Sequence, residues 1–165
     1  MSGHSLLVVP LPGLLSVVPA LARGPVTPHV TLVSPFTATA EPDAGVLGEL
    51  RTFFADVVPF EVTLDALTQF PGGSTYLVPE PAAPFRRLSQ RLLRLFPELP
   101  RPREIGEAAP HLEVPLGRGE DVEVLRRDLA PWLPVTAMAR AAELWWTEDE
   151  ETRTLAVFGF GTSAA

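Results

Sequence analysis

The alternation of apolar and polar positions predicts most of the strands of this chain. Residues 60–70 (FEVTLDALTQF) alternate for much of their length, so one face of this segment is expected to be buried. Shorter apolar runs, several of them bounded by Pro or Gly, have the composition of buried strands. The predicted strands lie at residues 5–11, 29–36, 60–70, 74–80, 111–117, 135–146 and 152–161.

Apolar residues that recur every three or four positions predict helices between these strands. The predicted helices span residues 41–57, 84–97 and 119–133. Asp43 is placed to cap the first of them, and the third has acids early and arginines late, which matches the helix dipole. Residues 13–24 have a weaker helical pattern, because Pro19 lies inside it. Strands joined by tight turns, with helices packed outside them, predict an α+β protein with largely antiparallel sheets.

The composition suits a globular protein and excludes several kinds of chemistry. The chain has 165 residues, 46% of them hydrophobic, which predicts a single domain over residues 1–165 with a sizeable core. It has no Cys, which excludes disulfides, thiol nucleophiles and cysteine-based metal sites. All 13 basic residues are Arg, which excludes a Schiff-base or P-loop lysine. Because the net charge is −7, the surface as a whole does not attract polyanions, and any contact with nucleic acid must be local.

The apolar N-terminal segment predicts a strand rather than a signal peptide. Residues 1–13 have no basic region, and Pro10 and Pro12 interrupt the apolar run. No segment has the length of a membrane span. We therefore expect a cytoplasmic protein with no membrane partner.

Two similar phrases, half a chain apart, contain two of the three histidines. The first, PHVTL, has His29 followed two positions later by Thr31, and the second, PHLEV, has His111 followed by Glu113. Residues i and i+2 of a strand project from the same face, so each His points the same way as its polar neighbour. If a pseudo-twofold relates the two strands, both pairs face one cleft.

Two facing imidazoles suit the making or breaking of a phosphodiester. One neutral His can take a proton from the attacking water or hydroxyl, while the other, protonated, donates to the leaving oxygen. An unperturbed His titrates near pH ~6.5, and each such proton transfer contributes about 10²–10⁴-fold to the rate. A hydroxyl beside each His can bond the non-bridging phosphate oxygens. This chemistry needs no metal and no other cofactor, so we expect none.

These motifs resemble the signature of the 2H phosphoesterase superfamily, which includes the bacterial 2′-5′ RNA ligase-like proteins and the cyclic phosphodiesterases. The signature is His, apolar, Ser or Thr, apolar, occurring twice about half a chain apart. HVTL at 29–32 matches it fully, and HLEV at 111–114 keeps the His and both apolar positions. Length and element order extend the resemblance over nearly the whole chain.

The resemblance implies a bilobal fold, with two antiparallel sheets about a pseudo-twofold and a central cleft between them. It implies substrates that are RNA ends or small nucleotides with 2′,3′-cyclic phosphates or 2′-5′ linkages. It makes His29 and His111 the general acid and base, without deciding which is which, and makes Thr31 a phosphate ligand. We expect a monomer.

Glu113 departs from the signature, because the family has Ser or Thr there. A carboxylate ~4 Å from a phosphate would be repelled by roughly 4 kcal/mol at an effective dielectric of about 20. Glu113 could be protonated and donate a hydrogen bond, or it could turn aside and pair with Arg118 or Arg103. Otherwise the activity is weak or lost, and the fold serves another purpose.

Other interpretations stay open for the same residues. His29, His111 and Glu113 together are a possible two-histidine, one-carboxylate metal site. The chain could also be a catalytically silent member that binds a nucleotide or a protein. Arg118 is the best-placed Arg for a phosphate, although simple solvent exposure is the alternative.

Aromatic side chains give the remaining candidates. Tyr76 and Phe36 could stack on a base, with packing in the core or at the rim as the alternative. Trp145 and Trp146 are adjacent in a predicted strand, which predicts that one lies in the core and the other is partly exposed.

Overall fold

The computed structural model describes residues 3–24, 26–99, 109–117 and 119–161. Within these ranges the chain forms eight strands: β1 His4–Pro10, β2 His29–Val33, β3 Phe60–Gln69, β4 Thr75–Glu80, β5 Leu112–Glu113, β6 Val135–Ala139, β7 Ala141–Glu148 and β8 Glu151–Gly159. It forms the α-helices α1 Ala44–Ala55, α2 Ala83–Leu95 and α3 Val122–Leu129, and 3₁₀ helices at Pro12–Ser16, Pro19–Arg23 and Ala130–Trp132. The predicted α+β class is confirmed.

All eight strands belong to one continuous sheet, in the order β6-β3-β4-β5-β2-β1-β7-β8. Every pair of neighbours in it is antiparallel. The sequence predicts two sheets, but the structure has a single sheet, and the two predicted sheets are its two halves. The halves are joined at the centre of the sheet. There β2 and β5 pair directly, with Val30 opposite Leu112.

The α-helices cover one face of this sheet. Phe54 of α1 is fully buried and stacks on Phe158 of β8, with 5.6 Å between ring centroids. Ser89 Oγ of α2 donates to the carbonyl oxygen of Leu32 in β2 at 2.9 Å. Arg126 Nη1 of α3 donates to a backbone carbonyl of β3 at 2.7 Å. These contacts leave the other face of the central strands available for the two motifs.

The predicted cap of α1 is present, although the helix is shorter than the predicted 41–57. The carboxylate of Asp43 accepts hydrogen bonds from the backbone N–H groups of Gly45, at 2.7 Å, and Val46, at 3.2 Å. This is the predicted cap, and it satisfies backbone donors that the first helical turn leaves without partners. Within the described residues, no helix combines the length and apolar character needed to cross a membrane.

Three predicted elements differ from the structure. The single strand expected at 135–146 is wrong: it divides at Arg140 into β6, which pairs with β3, and β7, which pairs with β1 in the other half. The strand expected at 111–117 is shortened to two residues, since Pro115 lacks an N–H for the ladder. The helix expected at 13–24 is two 3₁₀ helices, and the second begins at Pro19.

Candidate active site

The pairing of β2 with β5 brings the two motifs together. Because Val30 lies opposite Leu112 in an antiparallel pair, the register sets His29 opposite Glu113 and Thr31 opposite His111. Val30 and Leu112 are fully buried beneath the sheet, so the four motif side chains share the opposite face. We call this the motif face, the side of the sheet that carries those four residues. The two histidines are diagonal neighbours on it, and such neighbours lie about 7–8 Å apart.

Both imidazoles are oriented by the same kind of hydrogen bond. His29 Nδ1 lies 2.8 Å from the carbonyl oxygen of Thr27, and His111 Nδ1 lies 2.9 Å from that of Ala109. A carbonyl oxygen can only accept, so Nδ1 carries the proton in each ring. Each Nε2 is therefore the nitrogen available for proton transfer, and the relation to the residue two positions earlier is the same in both halves.

An indole ring packs against His29. The ring of Trp145 meets the imidazole edge-on, with 4.5 Å between centroids. Trp145 Nε1 donates to Glu143 Oε1 at 3.0 Å, and the hydroxyl of Thr154 donates to the same oxygen at 3.1 Å. Glu143 therefore holds the Trp145 ring in place against His29. No sequence pattern indicates this role of Glu143.

Two aromatic rings pack against His111 in a similar way. Phe70 lies 5.1 Å from the imidazole centroid and Tyr76 lies 5.6 Å from it, both edge-on. The two rings stack on each other at 4.0 Å. Tyr76 is also directly opposite Glu113 in the β4–β5 pair. The sequence indicates Tyr76 as a candidate for stacking on a base, whereas no sequence pattern indicates Phe70, the residue before the PGG turn.

Burial lowers the pKa of His29 below its ordinary value, because the imidazolium loses hydration. Its hydrogen bond to the Thr27 carbonyl and the negative charge of Glu113 raise this pKa, and the charge of His111 lowers it, but burial has the larger effect. His29 is therefore neutral near pH 7 and presents a lone pair on Nε2. The influence of Glu113 on His29 agrees with their positions on facing strands.

The remaining sequence candidates fall in different places. Phe36 is only 6% exposed and packs edge-on against Phe96 in the core, so its ring is not available to a base. Trp145 and Trp146 are 5% and 8% exposed, and the expectation that one of them is partly exposed is wrong. Thr31 is half-buried on the motif face. Arg118 and Arg103 lie outside the described residues.

The arrangement gives no support to the metal-ligand interpretation. Across residues 3–24, 26–99, 109–117 and 119–161, no three His, Asp or Glu side chains are grouped so that they could hold a metal ion.

A cavity of about 180 Å³ adjoins the His29 side of the site. It is lined by Val26, Thr27, Trp145, Thr152, Arg153 and Thr154. A second cavity, of about 330 Å³, lies at the β7–β8 hairpin and is lined by Trp146, Glu148, Asp149, Glu151, Thr152 and Arg153. The cavity beside His29 is lined mainly by polar side chains. The hairpin cavity is largely acidic, and Trp146 and Glu148 extend from the face of β7 opposite Trp145.

Comparison with known proteins agrees with this architecture. A family model described as the 2′-5′ RNA ligase superfamily matches residues 19–151. A search of curated protein sequences finds no significant match. The fold is similar to that of E. coli LigT complexed with NADP+, at 15% identity and a TM-score of 0.56, over 98% of this chain and 99% of that one. LigT complexed with 3′-AMP gives 15% identity and a TM-score of 0.55, over 98% and 100%. TT0787 of Thermus thermophilus gives 18% identity and a TM-score of 0.60, over 97% and 99%.

Proposed function

The chain belongs to the 2′-5′ RNA ligase superfamily, and from this membership we propose that it is a two-histidine phosphodiesterase that needs no metal. Its substrates would be RNA ends or small nucleotides that carry a 2′,3′-cyclic phosphate or a 2′-5′ linkage. One observation carries the proposal: His29 and His111 share the motif face, and each Nδ1 donates to a backbone carbonyl, so that both Nε2 atoms remain for proton transfer.

The proposed reaction moves one proton at each histidine. Neutral His29 takes a proton on Nε2 from the attacking water, whose oxygen forms the new bond to phosphorus. The bond from phosphorus to the 2′ or 3′ oxygen breaks, and protonated His111 donates its Nε2 proton to that leaving oxygen. Transfer through solvent restores both imidazoles, and the product is a phosphomonoester. The lowered pKa of His29 supports its assignment as the base.

Other residues would bind the substrate rather than transfer protons. The hydroxyl of Thr31, opposite His111, would bond a non-bridging phosphate oxygen, and Arg118 would add a second phosphate contact. Tyr76 would contact the base or ribose from the neighbouring strand. LigT has been crystallised with NADP+ and with 3′-AMP, which supports a nucleotide ligand for this chain too. We further propose that the protein acts as a monomer in the cytoplasm.

Glu113 supports a second candidate function. It occupies the second-motif position of Ser or Thr, and its carboxylate would repel a bound phosphate. The alternative is a diverged member that binds a nucleotide or a protein partner with little or no turnover.

Phosphorus NMR in EDTA tests the proposal, with a nucleoside 2′,3′-cyclic phosphate and a short RNA that ends in one. We expect turnover by the wild type, and a loss of about 10²–10⁴-fold in His29→Ala and in His111→Ala. The matched control is His4→Ala, because His4 contacts Ser34 and lies at the start of β1, outside the motifs.

The pattern across the variants separates the two candidates. A wild type that binds nucleotides without turnover would favour the diverged binder, and turnover by Glu113→Thr alone would show that the carboxylate suppresses the reaction. Full activity in either motif variant would refute the two-histidine mechanism.

A further inference from the structure

Two carboxylates lie on the motif face. Glu113 is opposite His29, on β5. Val8 of β1 is opposite both Thr31 and Glu143, which places Glu143 two strands away in the cross-strand row of Thr31. We infer that the site on the motif face selects phosphodiesters with a single negative charge and disfavours phosphomonoesters and RNA chains, with Glu113 as the specificity-determining residue. The inference rests on the proposed function, whose substrate class it narrows.

Glu113 is placed to act on a phosphate held between the histidines. It occupies the centre of a cross-strand row, between Tyr76 on β4 and His29 on β2. The same position holds a phosphate-binding hydroxyl in the signature that the first motif follows. Its charge already reaches across the strand pair, since it raises the pKa of His29 against the effect of burial.

Charge separates the substrate of this reaction from its product. A phosphodiester carries one negative charge, whereas a phosphomonoester carries about −1.5 to −2 at pH 7. Glu113 repels both, but it repels the dianion more strongly because Coulomb energy scales with charge. The Debye length is about 8 Å at physiological ionic strength, so repulsion within the site persists. The carboxylate therefore disfavours retention of the product more than binding of the substrate.

The same reasoning disfavours a long RNA. Every additional nucleotide adds a backbone charge, and Glu113 repels each charge that lies close to the motif face. Among its described lining residues, the cavity beside His29 has one cation, Arg153.

Two matched substrates test the inference: adenosine 2′,3′-cyclic phosphate, and the same molecule with a 5′-phosphate. We expect the wild type to prefer the first by about tenfold or more in kcat/KM, because the second adds nearly two charges. Glu113→Gln removes the charge at nearly constant shape and should reduce this preference by about tenfold. The control Glu49→Gln makes the same change on exposed α1, across the sheet, and should leave the preference unchanged.

Calorimetric binding keeps this inference distinct from the proposed function. Affinities of the two cyclic phosphates and of 3′-AMP are measured for the wild type and Glu113→Gln, whether or not turnover occurs. Weaker wild-type binding of the more charged ligands, relieved in Glu113→Gln, supports charge selection even if the wild type turns over neither substrate. Equal binding of all three ligands, or a preference that survives in Glu113→Gln, overturns it. Failure to bind any of them overturns both proposals.

Discussion

The protonation of His29 is set by opposing influences that single substitutions can separate. Burial lowers its pKa, while the Thr27 carbonyl and the charge of Glu113 raise it. The ring contact with Trp145 is part of that burial. A neutral base with this surrounding should stay active under mildly acidic conditions, where an exposed histidine would already be protonated.

We therefore expect the acidic limb of kcat/KM against pH to lie below the ordinary histidine value of about 6.5. Trp145→Ala admits water to the His29 ring, which should raise the pKa of His29 and move the acidic limb to higher pH. Glu113→Gln removes a negative charge that stabilises protonated His29, so it should move the acidic limb to lower pH. NMR titration of the His29 ring in each variant gives the same pKa directly. An acidic limb at or above the ordinary value, unmoved in both variants, would contradict the assignment of His29 as a buried base.

The same shift has a consequence for stability. Because the folded state binds the His29 proton less readily than the unfolded chain does, protonation favours unfolding. Neutral His29 therefore contributes to the free energy of unfolding. The contribution is fully present above pH ~6.5, the pKa in the unfolded chain, and is lost as the pH falls from there through the lower pKa of the folded state.

The second motif depends on an unusually short element. β5 is two residues long, yet it joins the two halves of the sheet. Thr75 secures its end: the Thr75 hydroxyl donates to the carbonyl oxygen of Val114, and the N–H of Val114 donates to the Thr75 carbonyl at 2.9 Å. Thr75 is 2% exposed, so that hydroxyl has no water to replace its partner.

Thr75→Val should therefore weaken both the fold and the site. Valine keeps the shape but leaves the Val114 carbonyl without the hydroxyl, which costs about 1–3 kcal/mol of unfolding free energy. Because His111 precedes β5 directly, we also expect kcat to fall more than affinity. Denaturant unfolding and steady-state kinetics measure the two effects. Thr136→Val, an exposed threonine on β6, is the control, and equal stability of the two variants would show that Thr75 does not anchor β5.

Elements with strong local signals could be predicted from the sequence, and those set by distant pairing could not. The alternation in β3 located that strand to within one residue, and the Asp43 cap and the apolar spacing located α1 to within three residues at each end. The division between β6 and β7 at Arg140 had no signal, because each strand is specified by a partner far away in the chain. The same limit hid Phe70 and Glu143, whose importance comes from the rings and strands that they meet in the folded sheet.

The order of strands in the whole sheet explains how two short sequence motifs could indicate the candidate active site. Four strands lie on each side of the β5–β2 junction, so the halves mirror each other in layout, and the motif strands meet at their common centre. Half-chain spacing of the histidines carries this information. The spacing does not predict that the sheet is continuous, because that depends on the pairing of β2 with β5, where Val30 lies opposite Leu112.

The net charge of the molecule predicts an unusual dependence on salt. At −7, the protein repels an incoming RNA over the ~30 Å Debye length of 0.01 M salt, and this repulsion is screened at ~0.15 M, where the length is about 8 Å. We expect kcat/KM for a short RNA ending in a 2′,3′-cyclic phosphate to rise over this range, whereas adenosine 2′,3′-cyclic phosphate should respond much less. Proteins that hold RNA on a basic surface show the reverse, because binding releases counterions. A steep fall with salt in the same assay would therefore reveal a basic RNA-binding surface and contradict the expected dominance of the overall charge.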